Sequence, residues 1–197
     1  MTVKYLKKPL GKDFSTYSDE KLVKLSAAAN AKAFAVLVNK YKDDVAAVVK
    51  GMLGDVPEAD DVGLEVFIRF YNSASKFRGD SHLKTYLTRI AINLSLNELK
   101  SRKKKYMSSI DDTIRESASI SDEFSDKEIK DVVDMGMERL EAKFKSVLVL
   151  RLIQGYSTKE VAETLNLPLG TVLSRLSRAQ QKLRDVILSF DKTYSHG

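Results

Sequence analysis

At 197 residues with 43% hydrophobic side chains, the chain has apolar surface enough for one large core or two modest ones without disulfide help. It contains no cysteine, which excludes a disulfide framework, a thiolate metal site and a cysteine nucleophile. A net charge of +6 and a pI near 9.3 favour a polyanionic partner, and no stretch approaches the roughly 20 apolar residues of a membrane helix.

The opening Met1-Thr-Val-Lys-Tyr-Leu-Lys-Lys-Pro9 is charged without an apolar run behind it, so no signal peptide is expected. Lack of cysteine fits a reducing cytoplasm. Basic residues gather at Lys100–Lys105 and along Arg175, Arg178, Lys182 and Arg184, whereas acidic ones gather between Asp111 and Asp134. This segregation suggests two DNA-facing surfaces separated by an acidic connector.

Apolar residues recur at helical spacing, and no run alternates with the period of a strand, so an all-α fold is expected. Ser18 is placed to cap a first helix reaching about Ala29. A longer helix follows Asn30, with Leu37, Tyr41, Val45, Val48 and Val49 on one face, and ends near Gly54. Asp55-Val-Pro-Glu58 reads as a start signal in which Asp55 caps, Pro57 takes an early position and Glu58 completes a capping-box-like pair. That helix buries Val62, Val66, Phe67 and Phe70. Phe77–Ser81 forms a turn, and Ser81 is expected to cap a helix from His82 to about Arg102. Residues 18–105 thus form one helical domain. Ser, Asp, Glu and Thr dominate 106–125, which reads as a flexible linker. A second helical domain spans 126–190, with the residues from Asp191 frayed.

Local signals agree best near the C-terminus. A helix from about Lys143 to Ile153 stops at Gly155, which tolerates a left-handed backbone. Ser157-Thr-Lys-Glu160 is a capping box, worth about 1 kcal/mol, that opens a short helix carrying Val161, Ala162 and Leu165 inward. Asn166 suits a sharp turn, and Pro168 begins the last helix. There Val172, Leu176, Ala179, Leu183 and Val186 form the buried stripe. Thr171, Ser174, Arg175, Arg178 and Lys182 fall opposite. Arginine can pair with guanine O6 and N7 while Ser, Thr and Lys hold phosphates, so these residues read as a DNA-recognition helix behind a turn.

The segment from Lys145 through Gly170-Thr-Val-x-Ser-Arg-Leu176 resembles region 4 of bacterial extracytoplasmic-function (ECF) sigma factors. Glu58-Ala-Asp-Asp-Val-x-x-Glu65-Val-Phe67, Lys76-Phe-Arg-Gly-Asp-Ser81 and Thr85-Tyr-Leu-x-Arg-Ile-Ala-x-Asn93-Leu94 resemble region 2 of the same group. The resemblance implies a dissociable RNA polymerase subunit. Region 2 would bind the clamp coiled coil and open the −10 element, while region 4 would sit on the flap and read the −35 element. It implies −35 contacts from Ser157, Thr158, Thr171, Ser174, Arg175, Arg178 and Lys182. The −10 set is Phe77, Arg78, Asp80, Ser81, Lys84, Tyr86, Arg89 and Asn93, with Asn93 offered to a base edge and Lys84 and Arg89 to phosphates. Tyr86 reads equally as a packing residue. Asp61 and Glu65 are candidates for the clamp surface, or plain helix-surface charge. Partners implied are core polymerase, promoter DNA and an anti-sigma factor, without membrane insertion; no cofactor or metal is expected. Three positions depart from the family pattern: Leu64 where Gln is frequent, Ile92 where Arg is frequent, and Leu173 where a polar residue is usual.

Two other functions compete with this reading. An enzyme finds little support, because His82 and His196 stand far apart and no nucleophile, metal or phosphate-loop motif appears. A conventional repressor would explain the C-terminal module equally well, but it leaves the region 2 resemblance unexplained.

Overall fold

The computed structural model describes residues 13–79, 81–108 and 126–194. Every regular element among them is helical, as the periodicity predicts. Helix α1 (Asp19–Ala27) starts where the Ser18 hydroxyl accepts the Lys21 N–H. The Asn30 side chain does the same for α2 (Ala31–Leu53), accepting from Ala33 at 3.0 Å, and Gly54 at φ +83° ends that helix. Helix α3 (Pro57–Ser73) passes through a 3-10 turn (Ala74–Lys76), and α4 spans Leu83–Ser108. Helix α2 lies in the middle of this block, with α1, α3 and α4 packed on it. Leu37, Met52, Val66, Phe70 and Leu87 are buried between them.

The second block comprises α5 (Asp126–Glu138), α6 (Ala142–Leu148) with a π-helical turn (Val149–Ile153), α7 (Thr158–Leu165) and α8 (Leu169–Tyr194). Helix α8 is held by α5, α6 and α7. It passes close to α5 at Gly136, where a Cβ would fall 2.5 Å from Leu183 Cδ1.

Several local expectations are corrected. Val56, not Asp55, takes the position before Pro57, and it provides no side-chain cap; Asp55 instead pairs with Lys50 at 2.7 Å and Glu58 with Arg102 at 3.6 Å. At α4 the residue flanking the first turn is His82, whose carbonyl accepts the Tyr86 N–H at 3.1 Å, so Ser81 sits one residue outside the expected cap position. Helix α4 outlasts the expected end at Arg102 and takes in residues 106–108, because nothing in Lys103–Ser108 breaks a helix. The rest of the expected linker, 109–125, lies outside the described residues. Helix α8 continues through Asp191 to Tyr194 rather than fraying there. The helix read as Lys143–Ile153 is α-helical only to Leu148 and widens into the π turn before Gly155 (φ +69°).

The two blocks share one continuous core. The π turn packs on α2, and α7 packs on α4. Gly51 of α2 makes the first contact possible: a Cβ there would lie 2.7 Å from Ile153 Cδ1 and within 3.1–3.2 Å of both Val149 methyls. Thr88 and Tyr156 join their hydroxyls at 3.2 Å across the seam, and the Gln154 side-chain amide donates to the Asp44 carbonyl at 3.3 Å.

Candidate nucleic-acid interface

The C-terminal site is assembled from two helix starts and a turn. Ser157 Oγ accepts the Glu160 N–H at 3.2 Å, and the Ser157 N–H donates to Glu160 Oε2 at 2.7 Å, completing the capping box. These bonds hold the Glu160 carboxyl below the usual carboxylate range. They also engage the Ser157 hydroxyl in the helix start. Thr158 follows, half-buried. Asn166, at φ +52°, makes the left-handed turn, and the Pro168 carbonyl receives the N–H groups of Thr171 and Val172.

Helix α8 buries Val172 and Ala179 and half-buries Leu176, Leu183 and Val186, as expected of the inner stripe. Ser174 and Arg178 are exposed, and Thr171 and Arg175 are half-buried. The front also carries exposed Ser177, missed by the sequence reading although it lies three residues from Ser174 on the same face. Leu173, at 50% exposure, places an apolar side chain on that front. Lys182 turns back to Glu141 at 3.3 Å and over the Phe144 ring, so its ammonium is engaged within the block.

The N-terminal site centres on the turn before α4. Arg78 is exposed beside Gly79 (φ +79°), Ser81 is half-buried, and Asp80 lies outside the described residues. Phe77 meets Tyr86 edge-on at 5.2 Å, and Tyr86 meets Phe70 at 6.2 Å while its hydroxyl contacts Ser73 Oγ at 3.3 Å. Of the two readings of Tyr86, the packing role is therefore the one observed. Lys84 pairs with Asp44 at 2.8 Å. Arg89 donates to the carbonyls of Glu163 and Thr164 at 3.1 and 3.2 Å, at the last turn of α7. Asn93 is exposed and one turn further along α4.

Asn93 and Arg89 face Arg175 across a cleft of about 450 Å³ between the blocks. Lys100 and Lys143 also line it, so every charged side chain on its walls is a cation. Apolar walls come from Ile92, Leu96, Leu165 and Leu167. Ile92 is itself only 1% exposed, which explains why an apolar residue stands there.

On α3, Asp61 is exposed, and Glu65 pairs with Arg69 at 2.8 Å. Beside them Leu64, Ile68 and Tyr71 are 63%, 45% and 38% exposed. They recur at spacings of four and three, so they form an apolar stripe on the outer side of a helix whose inner side is Val66, Phe67 and Phe70. The spacing is present in the sequence, but it runs beside the stronger buried stripe of Val66, Phe67 and Phe70 and so does not stand out as a separate face. Among the described residues no cluster of three His, Asp or Glu could hold a metal ion, and no helix is long and apolar enough to cross a membrane.

Residues 37–105 match Sigma-70 region 2, and residues 136–185 match Sigma-70, region 4. The chain is 30% identical over 176 residues to the ECF RNA polymerase sigma factor SigW of Bacillus subtilis (strain 168), covering 84% of this chain and 94% of that one. It is 34% identical over 179 residues to the ECF RNA polymerase sigma-E factor of Escherichia coli (strain K12), with 84% and 92% covered. Two solved structures share the fold. CnrH in complex with the cytosolic domain of CnrY has a TM-score of 0.65 at 22% identity, over 87% of this chain and 97% of that one. The sigma factor RpoE in complex with the anti-sigma factor NepR from Bartonella quintana has a TM-score of 0.64 at 20% identity, over 80% and 98%. The chain belongs to the ECF RNA polymerase sigma factors, and its function is promoter-specific transcription initiation. The repressor alternative falls with the region 2 match.

Proposed function

We propose that residues 126–190 read the −35 element through the front of α8, and that residues 18–105 capture and open the −10 element through the turn before α4 and the exposed edge of that helix. The observation that carries the reading is the capped α7, left-handed Asn166 and a following helix with Ser174, Ser177 and Arg178 exposed on one side. Base contacts come from Arg175 and Arg178, while Thr158, Thr171 and Ser174 position the backbone. Ser157 acts through the cap, and Lys182 through its packing on Phe144. At −10, Asn93 reads a base edge, Phe77 and Tyr86 brace the turn, and Arg78, Ser81, Lys84 and Arg89 face phosphates.

Core polymerase docks its clamp coiled coil on the outer side of α3. Asp61 and Glu65 supply charge there and Leu64 and Ile68 supply apolar area, while region 4 meets the flap. An unopened base pair must be unstacked at a cost of a few kcal/mol, so these polymerase contacts bear directly on opening. The protein works in the cytoplasm, catalyses no reaction itself and is restrained by an anti-sigma factor; the RpoE structure bound to NepR supports that last reading.

The test is transcription in vitro with purified core polymerase and a set of promoter fragments. The chain should confer initiation on a subset of them and bind duplex weakly when alone. Specific operator-like binding by the chain alone, with no initiation in the presence of core, would sink the proposal.

A further inference from the structure

Leu173 stands on the front of α8 at 50% exposure, and none of the contacts proposed above uses it. The stretch from Leu169 to Arg178 carries arginines at 175 and 178 and no acid, so this front suits duplex DNA. Leu173 itself can bond neither a phosphate nor a polar base edge. Leu169, one turn earlier, is 47% exposed, so the two leucines make a short apolar strip at the start of the helix. That N-terminal end is the part of a recognition helix that meets base edges.

The surface around Leu173 is low. Gly170 lies three residues before it, and a Cβ there would meet nothing within 4 Å. Ser174 and Ser177 are exposed, one beside it and one a turn beyond. Among a glycine and two serines, the leucine side chain projects furthest from the helix. In the major groove every base presents donors or acceptors, and thymine alone adds an apolar group, its C5-methyl. A leucine set against any other edge would strip water from a polar group and return no hydrogen bond. It thus favours one base by contact and disfavours the other three by desolvation.

We propose that Leu173 is a specificity-determining residue that packs on the C5-methyl of one thymine in the −35 element, with Leu169 extending the same apolar strip. The proposal rests on the assignment of the front of α8 to −35. It gives a readout role to one of the positions at which this chain departs from the family pattern, separate from the roles of Arg175 and Arg178.

Deoxyuridine lacks only that methyl and keeps the base pairing of thymidine, so it isolates the contact. The chain, assembled with core polymerase, is bound to a promoter fragment on which it initiates, with each −35 thymine of either strand replaced singly by deoxyuridine. One replacement should weaken binding about fourfold, the ratio given by ~0.8 kcal/mol for one buried carbon at ~1.4 kcal/mol per tenfold. Leu173→Ala should bind the unmodified promoter more weakly by at least that factor, and should bind the thymine and deoxyuridine forms equally. Leu173→Met, which keeps an apolar side chain, should retain the penalty. Both changes are at an exposed position, and helical content checks that the variants fold. The proposal is overturned if no deoxyuridine weakens wild-type binding, or if the same penalty persists in Leu173→Ala. A uniform loss in Leu173→Ala over all promoters, with that penalty intact, would place Leu173 against polymerase instead. Should base-pair changes across −35 leave wild-type binding unchanged, the assignment of the α8 front falls, and this proposal with it.

Discussion

The hydroxyls of Thr88 and Tyr156 meet at 3.2 Å in the interior, although the two residues are 68 apart in the chain. One belongs to the block matching region 2, the other to the block matching region 4, so this bond crosses the seam of the molecule. Tyr156→Phe keeps the ring and removes the bond, leaving the Thr88 hydroxyl at a residue only 2% exposed. Stability in urea should drop by about 1 kcal/mol with an unchanged m-value. An unaltered midpoint would mean that the bond does nothing to hold the blocks together.

Arg175→Ala tests direct readout. Binding of polymerase carrying the variant should lose about 1–3 kcal/mol of discrimination at one −35 position and little elsewhere. A uniform loss across a panel of single-base promoter variants would reassign Arg175 to a phosphate. Arg178→Ala, at a more exposed position on the same helix, provides the comparison.

Asn93→Ala separates opening from docking. Its side chain is exposed, so the fold should be unaffected. Reactivity of −10 thymines to permanganate should fall while protection of −35 in a footprint persists. Equal loss of both signals would remove Asn93 from the −10 site.

Leu64 departs from the family pattern and leads the exposed stripe on α3 at 63% exposure. Leu64→Asp should leave the melting temperature within about 1–2 °C of wild type, as surface changes do. Affinity for core polymerase should fall about tenfold, the ~1.4 kcal/mol expected when an apolar anchor becomes a charge. Unchanged affinity, measured by competition with a second sigma factor, would place the polymerase contact elsewhere.

Lys145 is a lysine only 5% exposed. Burial pushes its ammonium below the ordinary 10.5; the Glu138 carboxylate pulls it back and Arg102 adds to the lowering. The unfolded chain retains the ordinary value, so between the two values it binds more protons than the folded chain, and stability rises with pH. The penalty is fully present below the folded value and is relieved as pH climbs toward 10.5. Tyr41 acts oppositely: burial, then its hydrogen bond to Asp19, raises its phenol above the ordinary 10.0, and that stabilisation is lost only at pH above this value. Melts taken below pH 10 therefore isolate the lysine. Lys145→Met should raise Tm by about 2–4 °C near neutrality, what ~1 kcal/mol gives in a chain of this size, and should flatten the alkaline rise. An identical pH slope in both proteins would locate the rise in another group.

Much of this protein is written in stretches of a few residues. The Ser157–Glu160 box, the left-handed Asn166, the Gly54 and Gly155 stops and the stripe of Val172 and Ala179 all depend on neighbours within about one or two helical turns, which is why periodicity and capping residues expose them in advance. The start at Asp55 misled for the same reason. Its side chain has a choice between a cap and a lysine five residues back, and only the course of α2 settled that choice in favour of Lys50.

The sequence by itself determined the helices, the helix-turn-helix and the order of two family blocks. The tertiary structure alone decided that those blocks share a core, that Tyr86 is braced between two rings, and that Arg89 donates to the end of α7. Such contacts join segments some seventy residues apart, as Arg89 and Thr164 are at a separation of 75. They depend on whether surfaces fit, down to the missing Cβ of Gly51, and no local period or capping preference encodes that fit.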